Sequence, residues 1–219
     1  LKRLHSTILP HTIQREGNAY HDITVIDGRS ASASGIRDTL MKNQGVFTDE
    51  ILQQLPFLEL YKDYEGLPPI TEDAFSLLLL QKLRILQDQP LDAYFGVSAE
   101  LSNRIWNRLD EFSSFSDFTD LLKTRELTRT AVSRALLHIL LDIRKYVPAD
   151  QFRVLGFRKS SGILFKELNT HGKLPVVTSL SQAGIPPEEV YADHLYESVR
   201  SLLHGQPFRN EYRRKMLVV

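Results

Sequence analysis

At 219 residues the chain can form one large domain or two small ones, and its 42% hydrophobic content is ordinary for a soluble globular protein. Its 27 Lys and Arg balance 27 Asp and Glu, so the molecule as a whole is no polycation, and a nucleic-acid site would have to come from local clustering. The absence of cysteine excludes disulfides, thiolate zinc sites and a cysteine nucleophile, and no apolar run reaches membrane-spanning length, a pattern that fits a cytoplasmic protein without a membrane partner.

The chain starts with Leu rather than Met, which reads as a fragment, a processed product or an engineered boundary. LKRLHSTILPH looks like a helix end broken by Pro10, and HTIQRE like a short strand. Ser34 or Ser32 can cap a helix over about Gly35–Lys42, ended by Gly45, and Thr48 can cap another at DEILQQL. LPFLELYKDYEGLPPI, with Pro68 and Pro69 together, reads as a linker.

Helices are expected to dominate beyond it. TEDAFSLLLLQKLRIL reads as a helix that opens with Thr71 and the acids after it. Leu101, Ile105 and Leu109 form one apolar stripe, SDFTDLLKT another short helix, and Val132, Leu136, Leu137, Leu140 and Leu141 one side of a long helix through RTAVSRALLHILLDIRKY. After Pro148 the period changes: FRVLGF and LPVVTSL read as strands around a helix at SGILFKELNT, a βαβ pattern that favours parallel pairing. A further helix, EEVYADHLYESVRSLLHG, precedes a basic and then apolar tail. His138 inside ALLHILL and Trp106 in its periodic helix both read as packing residues.

The stretch SASGIR at 32–37 carries the clearest chemistry. Small hydroxylated residues at a helix N-terminus add donors beside the unpaired backbone amides, and Arg37 one turn in offers a charged fork to phosphate oxygens. The residue types equally suit a plain cap with a solvent-facing arginine. Downstream, Lys123, Arg125, Arg129, Arg134, Arg144 and Lys145 are interleaved with Thr124, Thr128, Thr130 and Ser133, a mixture that suits phosphate and ribose contacts or simply a solvated helix face. Helical spacing would bring Lys123, Arg125 and Arg129 together. Arg209, Arg213, Arg214 and Lys215 could clamp an RNA backbone or form a solvated end. No histidine or carboxylate spacing suggests a metal site.

SASGIR is similar to the S-S/T-x-I-R signature of HIGH-type nucleotidyltransferases. Together with QREGNAYHD at 14–22, LLKTRELTRTAVSRALLHILL at 121–141 and FRVLGFRKSSGILFKEL followed by LPVVT, it resembles the bacterial tRNA(Met) cytidine acetate ligase family. The resemblance covers nearly the whole chain but lacks the family's H-x-G-H turn, so it implies a carboxy-terminal portion. The implied fold is mainly α with a small α/β part: the end of a Rossmann-like nucleotidyltransferase domain at 1–46, a helical tRNA-binding region at 47–147, and a C-terminal βαβ lobe with a basic tail at 148–219.

The implied chemistry is ATP-dependent activation of acetate as acetyl-adenylate, then acetylation of the wobble cytidine of elongator tRNA(Met) to N4-acetylcytidine. ATP is a substrate, and magnesium accompanies it without an identifiable ligand. By position, Arg15 and Glu16 match an ATP-contacting pair: Arg15 would touch phosphate or ribose, and Glu16, usually apolar, would contribute only backbone. Ser32, Ser34 and Arg37 match the closing signature, and Lys123, Arg125, Arg129 and Arg134 are the implied tRNA contacts. The catalytic residues are expected in the missing half, so the chain alone is expected to be inactive. Two rivals stand beside this: a non-catalytic RNA-binding module, and an adenylyltransferase acting on a small cofactor precursor.

Overall fold

The computed structural model describes residues 9, 11–13, 31–55 and 60–219, with backbone only at 187 and 188. Contacts divide the chain into two units, Leu1–Pro69 and Ile70–Val219, separated at the paired prolines. The helix end expected before Pro10, most of the strand expected at 11–16, and Arg15 and Glu16 lie outside the described residues.

In the first unit, α1 spans Ala33–Lys42 and α2 spans Asp49–Leu52. Ser32 holds extended backbone and its hydroxyl accepts the Gly35 amide at 2.9 Å, so the cap falls on Ser32 rather than Ser34. α2 stops short of the expected Leu55, which precedes Pro56 and is therefore biased away from helical backbone. Gly45 follows α1 at φ +82, and a Cβ there would overlap the Leu67 backbone, so only glycine fits. Its carbonyl accepts the Gly66 amide at 3.0 Å, closing the loop between them.

The second unit is built on four helices: α3 (Ser76–Ile85), α4 (Ala99–Arg108), α5 (Phe115–Leu122) and α6 (Arg129–Leu140). Their core contains Leu79 and Leu83, Leu101 and Ile105, Phe115, Phe118 and Leu122, and Val132, Leu136 and Ile139, all at most 1% exposed. The stripe of Leu101, Ile105 and Leu109 is buried as its spacing predicts. On α6 the buried face is Val132, Ala135, Leu136, Ile139 and Leu140, while Leu137 and Leu141 lie at its margin. Spacing of three and four residues from Val132 selects the former set.

α6 ends where the sequence pattern suggested continuation. Asp142 takes left-handed backbone at φ +58; its amide reaches the Ile139 carbonyl at 3.3 Å and the Ile143 amide reaches that of His138 at 2.8 Å. This is the paired closing bond of a Schellman terminus, with aspartate where glycine is usual. His138 is only half-buried: its Nδ1 lies 2.6 Å from the Phe95 carbonyl. Trp106 is also half-buried, and packs against the core while its indole donates to the Gln89 carbonyl at 3.0 Å.

The expected βαβ pattern forms. β1 (Phe152–Arg153) pairs in parallel with β3 (Val176–Val177), and α7 (Gly162–His171) lies between them in the chain. FRVLGF is not one strand, however. Its second part, β2 (Gly156–Phe157), pairs in parallel with β4 (Leu217–Val218) at the chain end. Between these pairs run α8 (Leu180–Ala183) and α9 (Tyr191–His204). A small core of Val177, Leu180 and Val190 lies beneath them.

The tail is anchored by buried charge. Glu197 accepts from Arg200 Nε at 2.8 Å and from the Arg209 amide at 2.9 Å, while Arg200 also donates to the Pro207 carbonyl. Glu211 sits between Arg153 and Arg214. Burial pushes the Glu197 carboxyl up, but the Arg200 and Arg209 hydrogen bonds outweigh it and hold the group below its ordinary value of 4.5. A carboxylate depressed in the folded state stabilises fully above its unfolded pKa and loses that contribution as pH falls through the folded one. Urea midpoints of the protein should therefore fall as pH drops below about 4.5, and Glu197→Gln should flatten that fall. An unchanged pH slope in the variant would contradict the assignment.

Candidate functional site

The sequence-predicted nucleotide residues that the structure describes gather in the first turn of α1. Ser32 is 4% exposed and its hydroxyl is committed to the cap. Ser34 and Arg37 face solvent, with Arg37 Nη2 donating to Ser34 Oγ at 3.4 Å. No acidic residue of α1 itself occupies its first turn, so no carboxylate of the helix opposes an anion at its partial positive charge. The Ala31 amide donates to Gln54 Oε1 at 3.0 Å, which ties the entry of α1 to the end of α2. The result is a hydroxyl and a guanidinium side by side near the start of a helix, a donor set suited to phosphate oxygens.

The predicted RNA residues lie around the turn between α5 and α6. Lys123 caps α5, Arg125 lies in the turn, and Arg129 is the first residue of α6, so helical spacing does not relate the three. Shared carboxylates gather two of them instead. Lys123 Nζ lies 2.7 Å from Asp120, and Arg129 lies 3.6 Å from Asp120 and 2.9 Å from Glu72. The Lys123 hydrogen bond, followed by the charges of Lys123 and Arg129, holds the exposed Asp120 carboxyl below its usual range. A cation at a helix N-terminus is unfavourable by itself, and Glu72 and Asp120 offset that for Arg129.

The interleaved hydroxyls have structural duties. Thr124 Oγ1 accepts the Glu126 and Leu127 amides at 3.2 and 3.0 Å, and Thr128 caps α6 through the Ala131 amide at 3.2 Å. Arg125 and Arg134 are exposed and make no ion pair among the described residues. They are the cations of this face open to a phosphate backbone, while Lys123 and Arg129 would have to share or exchange partners. The basic tail is no loose end, since Arg214 pairs with Glu211 at 3.1 Å and the chain continues into β4.

Among the described residues no group of three or more His, Cys, Asp or Glu could hold a metal. The residues in view therefore do not supply a magnesium site, and no step is assigned to that ion. Among them, too, no helix is long and apolar enough to cross a membrane.

The sequence model of the HIGH Nucleotidyl Transferase family matches residues 1–211, and the chain belongs to that family. Within it, the chain is 30% identical over 195 residues to the tRNA(Met) cytidine acetate ligase of Thermoanaerobacter sp. (strain X514), covering 83% of this chain and 46% of that protein. It is 30% identical over 213 residues to the Listeria welshimeri protein of the same name, covering 94% and 53%.

The fold is that of Thermotoga maritima TmcAL in its apo form, with a TM-score of 0.77 at 21% identity over 100% of this chain and 57% of that one. The same protein bound with alpha-thio ATP superposes with a TM-score of 0.72 at 18% identity, covering 86% and 52%. The chain spans about half the length of the curated relatives it matches.

The two serines should separate by experiment. Ser32→Ala should lower stability by about 1 kcal/mol through loss of the cap. Ser34→Ala should stay within about 0.5 kcal/mol. Urea unfolding of both variants checks this, and equal losses would contradict the capping assignment.

Proposed function

We propose that this chain forms part of an ATP-dependent ligase that activates acetate as acetyl-adenylate and acetylates the wobble cytidine of elongator tRNA(Met). The observation that carries the nucleotide half is the solvent-facing Ser34–Arg37 pair near the start of α1. The names of the curated relatives support the substrate assignment. Ser32, Ser34 and Arg37, with Arg15 and Glu16, would form the edge of the ATP site. Lys123, Arg125, Arg129 and Arg134 would contact the tRNA backbone.

In the first step an acetate oxygen attacks the α-phosphorus of ATP, the bond to the β-phosphate bridging oxygen breaks, and pyrophosphate leaves. In the second, the cytidine N4 attacks the acetyl carbonyl, AMP leaves and the amine loses a proton. The contribution of this chain is orientation and charge neutralisation: the Ser34 hydroxyl donates to a phosphate oxygen, and Arg37 turns its fork from Ser34 to the phosphates. The Ser32 cap holds the backbone of the turn, so that only the side chains must reorient when ATP arrives. Catalytic groups outside this chain would complete the site.

Acetate-dependent ATP–pyrophosphate exchange by the intact ligase carrying this sequence tests the assignment. Arg37→Ala should raise the KM for ATP roughly ten- to a hundredfold, the worth of one hydrogen bond to a charged group. Exchange that does not need acetate would favour an adenylyltransferase of another small substrate. Absence of exchange with tight tRNA binding would favour a binding module.

A further inference from the structure

The end of α6 borders an open groove of about 940 Å³ that the assignments above leave unused. Its apolar surface comes from Leu140, Ile143 and Val147, and α9 contributes Tyr191 from its first residue. Val147 is 69% exposed and Tyr191 48% exposed, so an aliphatic and an aromatic surface both stand uncovered. Three cations, Lys82, Arg144 and Lys145, line it against one carboxylate, Asp142.

Asp142 is shared: Lys82 Nζ lies 3.4 Å away and Arg144 Nη2 3.3 Å away. Lys145 makes no ion pair among the described residues. The lining thus carries an excess of positive charge with one cation uncommitted.

The groove is held in shape before anything binds. The left-handed Asp142 and the Ile143–His138 bond fix the turn after α6. From the other side, the Phe95 amide donates to the Ile143 carbonyl at 2.9 Å. Arg144 lies over the Tyr94 ring at 4.6 Å and donates to its hydroxyl at 3.2 Å, so its guanidinium is already oriented.

We infer that this groove binds an unstacked nucleotide of a single-stranded RNA segment, with the base on Tyr191 and the flanking phosphates on Lys145 and Arg144. An exposed aromatic ring and aliphatic side chains lining one groove with cations make a surface on which single-stranded nucleic acid stacks without base-specific hydrogen bonds. An acidic peptide would use the cations but not the aromatic face. The inference rests on the RNA reading of the proposed function and extends it to a second contact. α6 has 12 residues and is about 18 Å long, so the Arg125–Arg129 turn and this groove are opposite ends of one rigid rod that a single RNA could span.

Fluorescence anisotropy with labelled oligouridine, beside elongator tRNA(Met), tests the inference on the intact ligase. Tyr191→Ala should weaken oligouridine binding roughly tenfold, and Tyr191→Phe should restore it. Lys145→Ala should lower the salt slope of log affinity by about 1. Unchanged oligouridine binding in both Tyr191→Ala and Lys145→Ala overturns the groove, and if tRNA binding is then lost in Arg125→Ala the RNA reading survives. Failure of the unaltered protein to bind either RNA overturns both. Groove-dependent binding without acetate-dependent exchange keeps the groove and removes the ligase.

Discussion

The N-terminus of α5 is the joint on which the second unit depends. A helix start leaves its first amides without intrahelical partners, and here three are satisfied from three places. The Asp117 amide is capped by Ser114 Oγ at 3.1 Å, the Phe115 amide by Ser76 Oγ at 2.9 Å, and the Ser116 amide by Asp73 Oδ1 at 2.7 Å. Two of those acceptors sit at the opening of α3, about forty residues earlier in the chain. The joint ties the turn before α3 to the start of α5, both helices pack on α6, and Phe115 and Phe118 lie in the shared core. Glu72, the neighbour of Asp73, then reaches Arg129 at the start of α6. One constraint thus runs from an acidic pair through a helix cap to the basic turn proposed to meet RNA.

Charge follows the same economy elsewhere in that unit. Carboxylates are placed so that each holds two cations: Asp120 takes Lys123 and Arg129, Asp142 takes Lys82 and Arg144, Glu211 takes Arg153 and Arg214. The pairing at Asp142 leaves net positive charge locally, whereas Glu72 beside Arg129 and Asp193 beside Arg153 balance the other two clusters. At Asp142 burial raises the carboxyl pKa, but the Arg144 and Lys82 contacts outweigh it and keep it ionised below its usual range. The exposed pairs contribute little stability. Their effect is to hold long cationic side chains in defined positions.

Much of the helical architecture was legible because its signals are local. Four-residue spacing identified the buried stripe of Leu101, Ile105 and Leu109, Ser32 marked the start of α1, and the change of period after Pro148 marked the parallel β1–β3 pair, whereas Thr48 and Thr71 precede helical turns without capping them through their side chains. The SASGIR turn could be read as a donor cluster for the same reason, since its residues are consecutive. What escaped depends on long-range partners. Asp73 and Glu72 read as first-turn acids of their own helix, yet they cap and pair with elements that follow much later. Asp142 looked like a residue within a continuing helix; its left-handed turn and its bond to Lys82 have no local signature. The burial of Glu197 and Arg200 was likewise invisible, because a Glu three residues before an Arg is an ordinary surface pair in sequence.

The most direct measurement of the account is the fate of labelled acetate. The intact protein carrying this sequence would be incubated with ATP, isotope-labelled acetate and elongator tRNA(Met), and the nucleosides separated by mass spectrometry. The account predicts label in N4-acetylcytidine at the wobble position, dependent on both ATP and acetate. ATP-dependent turnover that leaves every cytidine unlabelled would contradict it.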